Sequence, residues 1–151
     1  MDLDPDFREF VQLFIDNEVR FLIIGGYALA AHGAPRYTGD LDAWIWIDHT
    51  NAERVVEALR QFGFGSLGLS AADFTTHDTV IQLGRPPHRI DLLTTIDGVA
   101  FDDAWTRRIE CTAGDLSFPC ISKEDLIANK RAVGRPQDLV DVERLKNLPG
   151  G

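Results

Sequence analysis

Phe21-Leu22-Ile23-Ile24-Gly25-Gly26-Tyr27-Ala28-Leu29-Ala30-Ala31-His32-Gly33, continuing through Ala34-Pro35-Arg36-Tyr37-Thr38-Gly39 to Asp40-Leu41-Asp42, is the stretch that decides the fold. The apolar run Phe21 to Ile24 is too short for a helix and suits a buried strand. Gly25 and Gly26 stop that strand and open the Ala-rich segment Tyr27 to His32, which has high helix propensity. Gly33 and Pro35 end the helix. After a short loop the chain re-enters a strand, Leu41 to Ile47. Side chains alternate faces along it, so Asp40, Asp42, Trp44 and Trp46 share one side, and Leu41, Ala43, Ile45 and Ile47 share the other as core.

Working outward, Asp4 to Asn17 has the spacing of an amphipathic helix, with Phe7, Phe10, Val11 and Phe14 on one face, Asp4 as N-cap and Pro5 at the first helical position. Asn51 to Phe62 reads as a second such helix, burying Val55, Val56, Leu59 and Phe62. Gly63 to Thr79 reads as loop with a short turn of helix at most. Val80 to Leu83 and His88 to Leu93 are short strands joined by the turn-forming run Gly84-Arg85-Pro86-Pro87. In the second strand Ile90 and Leu92 point one way, and Arg89, Asp91 and Leu93 the other. A short helix over Phe101 to Arg107 and a hairpin over Glu110 to Phe118 follow. The chain then reads as two helices, Lys123 to Val133 with Ser122 as N-cap, and Pro136 to about Leu145. The expected fold class is α/β: a small mixed β-sheet with helices packed on it, the C-terminal helices closing one side. A single domain is expected over residues 1–151, with the sheet core at about 18–120 and the helical segment at about 122–147.

Composition narrows the function. The 151 residues can bury a real core, and no apolar run approaches the ~20 residues of a membrane span. The N-terminus is acidic, unlike a secretory or transit peptide, so the expected location is cytoplasmic. A net charge of -9 argues against duplex binding as the main task, yet leaves room for a polyanion held locally through a metal. Cys111 and Cys120 have no metal-ligand spacing and read as free, partly buried thiols; His77 and His88 have no spacing for zinc. His32 reads as a packing residue of its helix.

The chemistry gathers on three acids. Asp40 and Asp42 stand about 6.5–7 Å apart at Cα on one strand face. Asp91, flanked by apolar residues on a strand that could lie beside Asp42, is the third. Such a patch requires neutralisation, and a hard cation with oxygen ligands, Mg2+ or Mn2+, is the expected partner. Gly25 and Gly26 could let backbone N–H groups approach a phosphate, and Arg36 could reach the same phosphates. Each feature alone has a plainer reading: a tight turn for the glycines, a solvated strand edge for Asp-x-Asp, pairing with Arg89 or Arg36 for Asp91, and a surface loop for Arg36. Lys130 either reaches the phosphates or pairs with Asp138 and Asp141. Trp44 and Trp46 either stack a base or pack under a helix.

The run Ile24-Gly25-Gly26-Tyr27-Ala28-Leu29-Ala30-Ala31-His32-Gly33, with Arg36-x-Thr38-x-Asp40-Leu41-Asp42 and Arg89-Ile90-Asp91-Leu92-Leu93, resembles the nucleotidyltransferase superfamily of DNA polymerase β-like fold, particularly small bacterial members that include toxin-type proteins of toxin–antitoxin systems. The likeness covers roughly residues 18–145. Where many members carry Ser after the first glycine, this chain has Gly26. The resemblance implies a magnesium-dependent transfer of a nucleoside monophosphate from a nucleoside triphosphate, such as ATP, to an acceptor: tRNA or other RNA, a protein or a small molecule. Asp40, Asp42 and Asp91 would be the metal ligands and catalytic acids, and Gly25, Gly26, Arg36 and Lys130 would bind the nucleotide. An antitoxin protein is an implied partner, and no membrane is. Two other readings use the same residues, a non-catalytic module binding a nucleotide or a partner protein, and a metal-dependent phosphohydrolase.

Overall fold

The computed structural model describes residues 2–36, 39–85 and 87–149. Thr38 of the motif and Pro86 of the turn lie outside them. The first helix, α1 (Pro5–Asp16), starts where Asp4 accepts a 2.9 Å hydrogen bond from the Asp6 N–H, with Pro5 supplying a helical φ. Phe7, Phe10, Val11 and Phe14 recur at helical spacing and are fully buried. Each phenylalanine contributes about 2–3 kcal/mol by leaving water.

Six strands form one mixed sheet: β1 (Phe21–Ile24), β2 (Asp40–Ile45), β3 (Val80–Arg85), β4 (His88–Leu93), β5 (Ile109–Ala113) and β6 (Leu116–Cys120), in the order β3-β4-β2-β1-β6-β5. β2 runs antiparallel to β1 and parallel to β4; β6 is parallel to β1; β3–β4 and β5–β6 are hairpins. The remaining helices are α2 (Gly25–Ala31), α3 (His49–Leu59), α4 (Phe101–Thr106), α5 (Lys123–Val133) and α6 (Pro136–Lys146). One sheet face, with Phe21, Ile23, Leu41, Ala43, Ile45, Ile90 and Leu92, is covered by α1 and α3. The other, with Leu22, Ile24 and Trp44, packs on α2, α4, α5 and α6 through Leu29, Ala104, Leu126 and Leu145. The C-terminal helices therefore close one side, as the α/β reading expects. Among the described residues no helix is long and apolar enough to cross a membrane.

The departures are local. β2 stops at Ile45, two residues short of the expected end: the Trp46 N–H still bonds the Arg20 carbonyl opposite it at 3.2 Å, but the Asn51 side chain takes the return bond, accepting from the Arg20 N–H at 2.7 Å and donating to the Trp46 carbonyl at 2.9 Å. α3 begins two residues early because the Asp48 side chain accepts from the Asn51 N–H, and it gives way after Leu59 to a wide turn broken at Gly63, whose φ is 104°. Short 3-10 turns occupy Gly65–Leu67 and Ala71–Phe74, and the second buries Phe74 completely. A single buried aromatic has no periodicity, so the sequence alone reads that segment as loop.

Candidate active site

Register assembles the carboxylates. In the parallel pair β2–β4, Asp42 lies beside Asp91 and Asp40 beside Arg89; in the antiparallel pair β1–β2, Asp42 lies beside Ile24. Residues opposite one another share a face, so Asp40, Asp42 and Asp91 all open on the α5–α6 side, as the strand alternation predicts. They line one wall of a cleft of about 400 Å³, and Gly25, just beyond Ile24, lines it with them. Gly25 has φ 69°, and a β-carbon there would overlap Asp42 Oδ2 and sit 3.1 Å from its Cγ. Position 25 thus accepts no side chain without displacing Asp42. Gly26, by contrast, is buried in the first turn of α2 rather than on the cleft wall.

Arg89 bridges two of the acids. Its Nε donates to Asp91 Oδ1 at 2.8 Å, and its terminal nitrogen donates to Asp40 Oδ2 at 2.9 Å and Asp91 Oδ2 at 3.2 Å. The partner considered for Asp91 in the sequence is therefore present, and it spans both strands. These contacts hold the Arg89 pKa above its ordinary value. Asp42 is also raised, from 3.8 up to about 7, which here disfavours its charged form: first by burial, then by the charges of Asp91 and Asp40 and a hydrogen bond with Asp91, with Arg89 opposing. Three carboxylates facing one guanidinium leave two negative charges when all are ionised.

The opposite wall comes from the C-terminal helices. Asn129, Lys130 and Val133 reach the cleft from α5, and Arg135 and Asp138 from the start of α6. Lys130 is buried, its Nζ 3.0 Å from Asp141 and 3.4 Å from Asp138. Arg135 donates to Asp138 at 2.7 Å, holding that carboxyl below its usual range, and the charge of Asp42 in turn acts on Arg135. Arg36 stands 3.4 Å from Asp141, so its guanidinium serves this network rather than the cleft wall. Of the residues expected from sequence, the structure brings together Asp40, Asp42, Asp91, Gly25 and Lys130, and sets Gly26 and Arg36 behind them. Sequence reading assigned neither Arg135 nor Asn129 to the cleft. The remaining wall is the loop after β4, where Thr95, Ile96 and Asp97 line the cleft. Asn129 donates to the Asp97 carbonyl at 3.0 Å, and at Gly98 a β-carbon would lie 2.7 Å from Ala132 Cβ. The loop is therefore clamped on α5.

Among the described residues no three acidic, histidine or cysteine side chains already stand as ligands of one ion, since Arg89 spans Asp40 and Asp91. The donor set nonetheless fits a hard divalent cation: oxygen donors alone, from three carboxylates that against Arg89 carry two surplus charges when all are ionised.

No family model and no curated protein matches the sequence. Solved structures do share the fold. The lincosamide antibiotic adenylyltransferase LnuA, in its lincomycin-bound structure, aligns over 97% of this chain and 98% of its own at 15% identity, with a TM-score of 0.57. A candidate nucleotidyltransferase from Thermotoga maritima aligns over 93% of this chain and 90% of its own at 15% identity, with a TM-score of 0.61. The chain has the nucleotidyltransferase fold.

Proposed function

We propose that this protein is a divalent-metal-dependent nucleotidyltransferase that moves a nucleoside monophosphate from a nucleoside triphosphate to an acceptor. The observation that carries this reading is the register that sets Asp42 beside Asp91, and Asp40 beside Arg89, in a cleft faced by Lys130 and Arg135. Asp40, Asp42 and Asp91 would hold Mg2+ or Mn2+, which when bound neutralises charge on the phosphates and at the reacting phosphorus. Lys130 and Arg135, on the facing wall, bind and orient the triphosphate. Lys130 is held by Asp138 and Asp141, and swinging away would leave Asp138 to Arg135 and Asp141 to Arg36. Gly25 gives Asp42 its room and presents bare backbone to the same space. Asp91 would receive the acceptor's proton, its carboxylate oriented by Arg89. LnuA, named an adenylyltransferase and solved with lincomycin, supports a nucleotide donor and an acceptor bound on this fold.

The test is transfer of label from α-labelled triphosphates with Mg2+ to RNA, protein and small hydroxyl or amine compounds. Wild type should label an acceptor, and Asp42→Ala and Asp91→Asn should not. Equal behaviour of all three across the panel refutes the proposal.

The bridging of Asp40 and Asp91 by Arg89 favours a second reading, a nucleotide-binding module that neutralises its own acids and does no chemistry. Tight triphosphate binding without label transfer selects it.

A further inference from the structure

Beside the carboxylate cleft, on the same sheet face and meeting it at the loop after β4, lies a second cavity of about 330 Å³. Thr95 and Ile96 belong to both cavities. Its walls are aromatic: Trp44, whose ring meets Phe101 edge-on at 5.0 Å, and Trp46, a partly exposed ring that carries the Arg20 guanidinium at 4.4 Å. The floor and one rim are held open by hydrogen bonds. Trp44 Nε1 donates to the Thr94 carbonyl at 3.3 Å. The Thr94 hydroxyl donates to the Thr76 carbonyl at 2.7 Å and accepts from the Thr79 N–H at 3.0 Å. Thr95 and Asp78 bond reciprocally, at 2.8 and 3.0 Å, which fixes Asp78 at φ 58° and sets His77 on the rim. The opposite rim carries exposed Asp102.

We propose that this cavity is the acceptor site and that the acceptor is a small amphipathic molecule, neutral or cationic, with an apolar ring and a hydroxyl group. This rests on the transferase reading. The aromatic walls take the ring. Among the described lining residues Asp102 is an acid and there is no lysine or arginine; Arg20, the guanidinium next to the walls, is occupied by the Trp46 and Trp105 rings, which leaves too little positive charge for a polynucleotide's phosphates and favours neutral or cationic compounds over anionic ones. Thr95 and Ile96, which line both cavities, put the acceptor's hydroxyl at the edge of the cleft that would hold the triphosphate. That oxygen bonds to the α-phosphorus, and the bond from this phosphorus to the α–β bridging oxygen breaks. Pyrophosphate leaves with the electron pair, and the hydroxyl proton passes to Asp91.

Three probes with one ring and different charge test the pocket without triphosphate: phenethylamine, phenethyl alcohol and phenylacetate, titrated into the full chain by calorimetry or ligand-observed NMR. The amine and the alcohol should bind, with phenylacetate about ten-fold or more weaker. Ala100→Trp, which fills the cavity from an exposed position, should weaken both by a similar factor, and Asp102→Lys should bring phenylacetate above the amine. Absence of binding by all three, or equal affinities in wild type and both variants, overturns the proposal. So does label transfer to tRNA or protein that Ala100→Trp leaves unchanged. Failure of label transfer alongside the expected binding order counts against the transfer reaction alone.

Discussion

Asp42→Asn is the sharpest probe of the site, because it should raise stability while removing function. The Asp42 carboxyl moves from 3.8 to about 7 in the fold, so the folded protein holds that proton more tightly than the unfolded chain. For an acid shifted upward, stability is greatest while the proton is bound and falls as pH climbs from about 4 to about 7. At roughly 1.4 kcal/mol per pH unit, the ionised side chain costs about 4 kcal/mol above pH 7. Asn keeps the shape, cannot ionise, and can still donate to Asp91 as protonated Asp42 does. In EDTA, urea unfolding followed by circular dichroism should show wild type and variant within about 1 kcal/mol at pH 4. The variant should then gain steadily to as much as 4 kcal/mol at pH 8, or roughly 8–15 °C in Tm for a domain of this size. Label transfer should vanish at every pH. A stability gap that does not grow with pH, or a variant less stable than wild type at pH 8, would refute the argument that Asp42 is held against its charge by its neighbours.

Three further expectations test the surrounding parts. Mg2+ or Mn2+ should raise the wild-type Tm more strongly as pH passes 7, because the Asp42 proton must leave first, and Asp42→Asn should abolish the effect in differential scanning calorimetry. Gly25→Ala should lose about 1–3 kcal/mol from its left-handed φ and, by pushing on Asp42, most of the transfer activity; an unchanged melt together with an unchanged rate would contradict the close approach. Lys130→Met should cost about 2–3 kcal/mol in urea unfolding, since it leaves buried Asp138 to Arg135 and buried Asp141 to Arg36, and a loss below 1 kcal/mol would show the network to be of little consequence.

The sequence was informative where a local rule has one outcome. Alternation along a strand sends Asp40 and Asp42 to one side whatever the strand pairs with, and Asp91 is set by the same rule on β4. Helix spacing placed Phe7, Phe10 and Phe14, and Ser122 marked the start of α5. What escaped depends on strand order and on contacts distant in the chain. Arg89 shares a face with Asp91 in any strand, but its hold on Asp40 exists only because β2 is the neighbour of β4. Arg36 sits in the motif that suggests a phosphate contact, yet its charge is drawn to Asp141 on α6. The role of Trp44 likewise waits on α4: with Phe101 against its edge it is both a core residue and the wall of a cavity.

The tie from Lys130 and Arg36 to Asp141 has an effect on the order in which the protein becomes competent. All three acids have been synthesised by residue 91, whereas the cations facing them are set in place only by a helix that ends at Lys146. A chain with its sheet paired and α6 undocked thus presents three carboxylates against Arg89, a surplus of negative charge that would disfavour a triphosphate. On the proposed reading, affinity for a triphosphate therefore depends on the docking of α6, not on the sheet alone.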